Sequence, residues 1–491
     1  MDRSMSRRNL SPFIIALLLL AGLLAAMLCV KSDVAWHALR NYALIAGRYS
    51  VPYGLFFLAI ASLSVIICLA FAHPASKSGR VWKLVSVYFG IALYCLFATL
   101  AAFEFILQRN PMWVVTPQTS MDPMQIVLFS LDQWRADDEA GVLGRPGVSA
   151  KLQGPFALYS LYDPSAWKDE ARPQIVFKTD AQGFRNDGEI ESPDMVVIGD
   201  SFTHGAFVDR DEIWSSQLAE RLNKTEQNFG LSAFSPQQSN NILQRFGLPQ
   251  SPKIVVYQLF FGNDFDDAAQ FHRWKQSGKA YLPFLREQLG EMPQLAMTWQ
   301  WFRDRFLHQE KQTQSGWRPI ECRVGSNTYA MGFGPPGGVL YQEKEQILAY
   351  PGFAMTIETI EAMARECRDA GAHFLVCAVP AKASVYMDCI VDRENQERFL
   401  RQQGLSNQIA FEDARSLIDN LPALFEEEMK QRGIDFVDLT LPLRGDAVEK
   451  SALLYYPFDT HWNPGGHAAA AQILTEEIRQ LGWINQDSNR D

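Results

Sequence analysis

Apolar residues crowd the N-terminal quarter of this 491-residue chain, and that concentration constrains its fold more than any other feature. Three runs, residues 12–30, 52–72 and 83–107, each come close to the ~20 residues an α-helix needs to cross a hydrocarbon layer. They are predicted to be transmembrane helices of a region spanning residues 1–110. A cleavable signal peptide competes for the first run, because Arg3, Arg7 and Arg8 precede it. That run exceeds a typical signal core, however, and no small-x-small site closes it, so a retained anchor is expected. Lys77, Arg80 and Lys83 lie between the second and third runs or at the third's edge, whereas Arg109 stands alone after the third. Basic residues stay on the cytoplasmic side, so an odd number of spans with the N-terminus inside places the rest of the chain outside. Lys31, Arg40 and Arg48 in the first loop do not discriminate. The expectation is a multi-pass protein of the cytoplasmic (inner) membrane with its large C-terminal part on the extracytoplasmic, periplasmic side.

After residue 110 the chain holds 35 Lys/Arg against 52 Asp/Glu. A surface so acidic repels a phosphate backbone, which binds by neutralisation with basic side chains, and nucleic acid is excluded as a partner. Cys29, Cys68 and Cys95 fall in the apolar runs, leaving Cys322, Cys367, Cys377 and Cys389 outside them. No CxxC or Cys/His spacing suggests zinc, and no metal or cofactor is expected. An oxidising compartment permits disulfides among those four. Cys377, inside an apolar run, reads better as a small buried residue.

Residues 111–190 are rich in Pro, Gly and aromatics without a sustained period, which predicts an irregular lead-in. From residue 191 the pattern changes. Short runs at residues 195–198, 227–229, 254–259, 373–379 and 434–439, most of them largely apolar, read as strands, separated by stretches with helical spacing such as Ile213, Trp214, Leu218 and Leu222. Strands of this kind bury both faces, which predicts a parallel sheet covered by helices on each side, a three-layer α/β/α domain over residues 191–480. Residues 266–352 separate two strands by more than one crossover helix. They hold Trp274, Trp299, Trp301, Trp317 and a glycine-rich stretch, and are expected to be an insertion serving either as a lid or platform or as a packed aromatic subdomain.

Ligands in open α/β sheets collect beyond the carboxyl ends of the strands. The first strand runs into Gly199-Asp200-Ser201-Phe202-Thr203-His204-Gly205, a hydroxyl at a tight turn flanked by glycines. The second exits through Asn228-Phe229-Gly230-Leu231-Ser232-Ala233, the third through Gly262-Asn263-Asp264, and Phe458-Asp459-Thr460-His461-Trp462-Asn463 follows the fifth. Lys382, after the fourth strand, either meets an anionic substrate or is a solvated lysine. His204 and His467 read as structural, and Asp264 as a support of its own loop.

These four blocks, in this order at successive strand ends, resemble those of the SGNH, or GDSL, hydrolase family over roughly residues 190–480. The resemblance implies a flavodoxin-like α/β/α fold, Ser201 as nucleophile, His461 as base and Asp459 as the group that orients the imidazole. It further implies Asn263 as a side-chain oxyanion donor alongside the Ser201 N–H. The second block departs from the usual pattern: Ala233 falls where the oxyanion glycine is expected, with Gly230 upstream as the fallback. The Asp-x-His spacing, which replaces the commoner Asp-x-x-His, also occurs in membrane-bound relatives.

A serine hydroxyl activated by histidine attacks an ester carbonyl and leaves an acyl-serine. Water as acceptor makes an esterase; a sugar hydroxyl makes an O-acyltransferase. The resemblance to SGNH-like proteins of exopolysaccharide acetylation, which share the Asp-Thr-His-Trp sequence, implies an acylated extracytoplasmic carbohydrate as substrate and a bilayer as support. A transferase would also need a membrane acyl-donor partner protein, since three spans are too few to transport activated acyl groups. A lipase or phospholipase and a non-catalytic assembly scaffold are the competing readings.

Overall fold

The computed structural model describes residues 134–153, 174–281 except 206, and 317–484 except 407, together with Tyr162, Phe284 and the short strand pair Leu44–Ile45 and Tyr49–Ser50. The three apolar runs, and Trp299 and Trp301 in the insertion, lie outside the described residues. Among the described residues no helix is long and apolar enough to cross a membrane. The chain divides into two compact units, and everything below belongs to the second, residues 117–124, 132–289 and 309–491.

Five parallel strands form the central sheet: β1 (Met195–Ile198), β2 (Glu226–Asn228), β3 (Ile254–Phe260), β4 (His373–Val379) and β5 (Asp435–Asp438). Their order is β2-β1-β3-β4-β5, the flavodoxin-like 2-1-3-4-5 arrangement. β1 and β3 are buried at every position, as is β4 after His373, because helices cover both faces. Val256 at the centre of β3 pairs with Val197 on one side and Leu375 on the other.

Helices α1 (Ser201–His204) and α2 (Trp214–Leu222) follow β1, α3 (Pro236–Ile242) follows β2, and α4 (Asp264–Ser277) follows β3. Next come α5 (Pro351–Asp369) before β4, and α6 (Lys382–Tyr386) and α7 (Asn420–Gln431) between β4 and β5, then α8 (Thr440–Lys450) and α9 (Pro464–Gln480). α5 packs on α3 and α4, whereas α2 and α8 both pack on α9. The two groups are the outer layers that right-handed crossovers require when strand order reverses at β1. In α2 the buried residues Trp214, Leu218 and Leu222 recur every fourth position, one stripe facing the core. Burying Leu218 alone contributes roughly 1.5–3 kcal/mol. Helix α9 starts where Asn463 caps it, accepting from the Gly466 N–H, with Pro464 in the first turn.

Two regions differ from the expectation. Residues 134–178 carry two antiparallel hairpins, Trp134–Asp137 with Gly141–Gly144 and Ser149–Gln153 with Gln174–Lys178. Their strands have four or five residues each, too short to show a period, although Ile175 and Phe177 alternate with exposed neighbours. Beyond them Asp180 accepts from the backbone N–H groups of Gln182, Gly183 and Phe184, a turn that fixes the following Arg185 and Asn186. The described part of the insertion holds a hairpin, Ile320–Val324 with Asn327–Met331, followed by the glycine-rich stretch. Cys322, Cys367, Cys377 and Cys389 are all free thiols, and Cys377 is buried in β4.

Candidate active site

The first block is built for close approach. Gly199 sits at φ +153°, and a Cβ there would lie 2.6 Å from the Gln258 Oε1 and from the Thr203 Oγ1. Only glycine lets the turn pass over β3. The Gln258 side chain accepts from the Asp200 N–H at 3.2 Å and the Thr203 hydroxyl at 2.8 Å, and Asp200 caps α1 through the Phe202 N–H at 2.9 Å. Arg185, buried, donates to the carbonyls of His204, Gly205 and Val208 and holds the far end of α1. Asn186 bonds both the N–H and the C=O of Asn228, whose own amide donates to the Thr203 carbonyl at 2.6 Å. Blocks one and two are thereby locked together.

Ser201, at the first position of α1, meets His461 from the loop before α9: the Oγ to Nε2 distance is 2.8 Å. His461 Nδ1 lies 2.6 Å from Asp459 Oδ1, which also accepts from the His461 backbone N–H at 3.0 Å. With its Nδ1 proton given to Asp459, the ring presents Nε2 as the acceptor for the serine hydroxyl. All three residues are buried. Burial works against the imidazolium, but the Asp459 charge and hydrogen bond, aided by Asp200, outweigh it and hold His461 above its ordinary value. Asp200 is raised to about 6 by burial, against the opposing pull of the Phe202 N–H and His461.

The loop carrying Asp459 and His461 is a tight reversal in which Tyr455 pairs with Trp462 and the Tyr456 N–H donates to the His461 carbonyl. The rings of Phe202 and Phe207 pack on the imidazole, at 5.3 and 5.5 Å between centroids. Phe207 holds φ +66°, a left-handed conformation costing a non-glycine residue roughly 1–2 kcal/mol. Its carbonyl accepts from the Tyr456 hydroxyl at 2.7 Å.

The expected oxyanion donors fare differently. The Ser201 N–H opens α1 and so has no intrahelical acceptor. Ala233 adopts φ +60°, a left-handed conformation that favours glycine, and its N–H has no acceptor among the described residues. Asn263 donates through Nδ2 to Asp267 at 2.8 Å, which fixes the amide and leaves its second hydrogen to give. Gly230 is corrected: its N–H is taken by the Asn228 side chain at 2.8 Å, and its lack of a Cβ serves packing against Thr203 and His204. Lys382 is corrected too. It is 3% exposed, neither solvated nor turned to a substrate, and its Nζ is bonded to backbone carbonyls, among them those of Tyr456 and Asp459.

His204 and His467 are buried, and each is pushed down to about 3 by burial and by the Arg185 charge, with His461 adding to the shift at His467. His204 bonds Ser232 at 2.9 Å, and His467 accepts from the Trp214 N–H. Asp264 accepts from the Phe260 N–H and supports its own loop. Arg185, Asn186, Gln258 and Phe207 were not singled out from sequence. Only Gln258 carried a signal, as a polar residue inside an otherwise apolar strand.

A parallel 2-1-3-4-5 sheet whose strand exits unite a serine, a histidine and an aspartate defines a protein of the serine-hydrolase type. The blocks that build this site are similar to those of the SGNH, or GDSL, hydrolases. The family model of an SGNH hydrolase-like domain, acetyltransferase AlgX, matches residues 336–491. The chain is 28% identical over 184 residues to the "Probable alginate O-acetylase AlgJ" of Pseudomonas putida, a match covering 34% of this chain and 42% of that one. Among solved structures it is similar to a GDSL-like lipase from Bacteroides thetaiotaomicron, with 13% identity, 58% of this chain and 88% of that one covered, and a TM-score of 0.28. Axe2, an acetylxylan esterase from Geobacillus stearothermophilus, shows 12% identity, 60% and 100% coverage, and a TM-score of 0.28.

Proposed function

We propose that the protein is a membrane-anchored serine esterase or O-acyltransferase that removes or transfers O-acyl groups, acetyl first among them, on an extracytoplasmic carbohydrate. The observation that carries this reading is the continuous relay from Ser201 Oγ to His461 at 2.8 Å and on to Asp459 at 2.6 Å. His461 takes the hydroxyl proton as Ser201 attacks the ester carbonyl, and Asp459 stabilises the imidazolium that forms. The N–H groups of Ser201 and Ala233 and the Asn263 amide are the donors for the oxyanion, each worth about 3 kcal/mol by analogy with single-donor deletions. Collapse expels the alcohol, protonated by His461, and leaves an acyl-serine. Water or a sugar hydroxyl, deprotonated in turn by His461, then takes the acyl group.

The carbohydrate acceptor is supported by the AlgX-type family model and by the relative whose name assigns it alginate O-acetylation. The anchor and the periplasmic side rest on the three apolar runs and their flanking charges. Transfer would call on a separate membrane protein to supply the acyl donor. The full-length protein is expected to release acetate from an aryl acetate, to prefer acetyl over long acyl chains, and to be labelled by a fluorophosphonate at Ser201. Ser201→Ala should lose both activity and label; an unchanged rate in that variant would remove the serine mechanism, and a long-chain preference would replace the carbohydrate reading with a lipase.

A further inference from the structure

The ammonium of Lys382 occupies an unusual place. It leaves the exit of β4 at the start of α6 and ends among four backbone carbonyls: Gly332 at 2.8 Å, Tyr456 at 2.7 Å, Pro457 at 2.5 Å and Asp459 at 3.3 Å. Three of these belong to the reversal that carries Asp459 and His461. The fourth belongs to the insertion, and the Gly332 N–H donates back to the Pro457 carbonyl at 2.8 Å. The Phe333 ring lies 5.6 Å from the nitrogen and closes one side of the cage. Neighbouring contacts tie in the same residues: Phe458 packs on Tyr162, whose hydroxyl bonds the Phe333 backbone.

A short irregular loop has few internal bonds with which to fix a carboxylate to a few tenths of an ångström. Carbonyl oxygens gathered at one point repel one another, and a buried cation with several directed donors is the side chain that holds them. Neither a solvated role nor substrate contact accounts for a lysine that is 3% exposed and aimed into backbone.

We propose that Lys382 is a positioning residue for the relay: by gathering the carbonyls of Tyr456, Pro457 and Asp459 with that of Gly332, it sets the placement of the Asp459 carboxylate on His461 and makes that placement depend on the insertion. The inference rests on the reading of Ser201, His461 and Asp459 as the reacting set. It assigns Lys382 no contact with substrate. The titratable groups facing His461 are Asp459, Asp200 and His467. Loosening Asp459 withdraws the main support of the imidazolium, and the base then titrates lower.

The test compares the full-length protein with Lys382→Met, which keeps the length of the side chain without charge. With an aryl acetate, kcat falls about 100-fold, the scale of an ångström-sized misplacement near a reacting group, while KM changes little. The acid limb of kcat/KM moves to lower pH. The downfield proton resonance of the His461 Nδ1–H in its bond to Asp459, present in the wild type and in Ser201→Ala, is lost in Lys382→Met. A variant with wild-type kcat, an unmoved acid limb and a retained resonance overturns the proposal, as does a loss of melting temperature with these three unchanged. If Lys382→Met does not fold, Lys382→Gln, whose amide donates two of the bonds, replaces it under the same criteria. The resonance needs no ester substrate, so a wild type that fails to turn over aryl acetate overturns the functional reading while leaving the role of Lys382 to be decided by the spectrum.

Discussion

His461 is pulled in opposite directions, and the balance sets the pH dependence of the reaction. Burial disfavours the imidazolium, yet Asp459 and Asp200 hold the ring above its ordinary value of 6.5. Since the base acts in its neutral form, kcat/KM should fall as pH drops through that raised value, with an acid limb above 6.5 in a pH-stat assay. Asp459→Asn keeps the shape and removes the charge. It should lower kcat by about four orders of magnitude, as the loss of the orienting carboxylate does in other triads, and move the limb to lower pH. A variant with the wild-type rate would take Asp459 out of the relay. Gly230 is constrained by space. A methyl group there would lie 2.6 Å from the Thr203 Cβ and 2.8 Å from the His204 backbone nitrogen, and backbone cannot swing aside. Gly230→Ala should cost about 1–3 kcal/mol in a denaturant titration, together with activity, because the strain falls on the helix that carries Ser201.

Helices α2 and α9 are joined by an imidazole as well as by the bonds of Arg221 to Gln472 and of Arg479 to the Arg221 carbonyl: His467, in the first turn of α9, accepts from the N–H of Trp214, the first residue of α2. That acceptor must be neutral, and burial with the Arg185 and His461 charges pushes it down to about 3. In the unfolded chain the same group takes up a proton near 6.5, so between 6.5 and 3 the unfolded state binds more protons and stability falls as pH falls. Above 6.5 the term is flat. The melting temperature should therefore drop progressively below pH 6.5, and His467→Gln, whose carbonyl can still accept from Trp214 without titrating, should flatten that drop; a slope equal to the wild type would assign acid sensitivity elsewhere, His204 being the next candidate. Elements also show what was legible beforehand. The strands at residues 195–198, 254–260 and 373–379 were readable because their largely apolar runs have no solvent face to disguise them, and the first and third blocks because each sits at the end of such a run; the fourth lies beyond α8. The hairpins of residues 134–178 were not, since a four-residue strand offers no period. Nor was the convergence on Lys382, because the carbonyls it gathers are 50 to 77 residues away in sequence and every residue has a carbonyl.

Charge acts over the whole molecule. After residue 110 acidic residues outnumber basic ones by 52 to 35, so the described domain carries its relay inside a negative field. That field matters little to a neutral aryl ester and much to a polyanion, which must bring its own charges to the surface before a hydroxyl can reach Ser201. Ions screen such repulsion over about 30 Å at ~0.01 M and about 8 Å at ~0.15 M ionic strength, distances that bracket the approach of a polymer chain. If the acceptor is a polyanionic polysaccharide, acyl exchange with it should accelerate as salt rises across that range, while release of acetate from the aryl ester stays level. A neutral polysaccharide should behave like the aryl ester. Acceleration by salt on the polymer alone would show that the acidic surface opposes its own substrate and that affinity comes from short-range contacts near the site. Slowing by salt would mean that basic residues line the path to Ser201 strongly enough to reverse the net field, and the acidic balance would then say nothing about the acceptor.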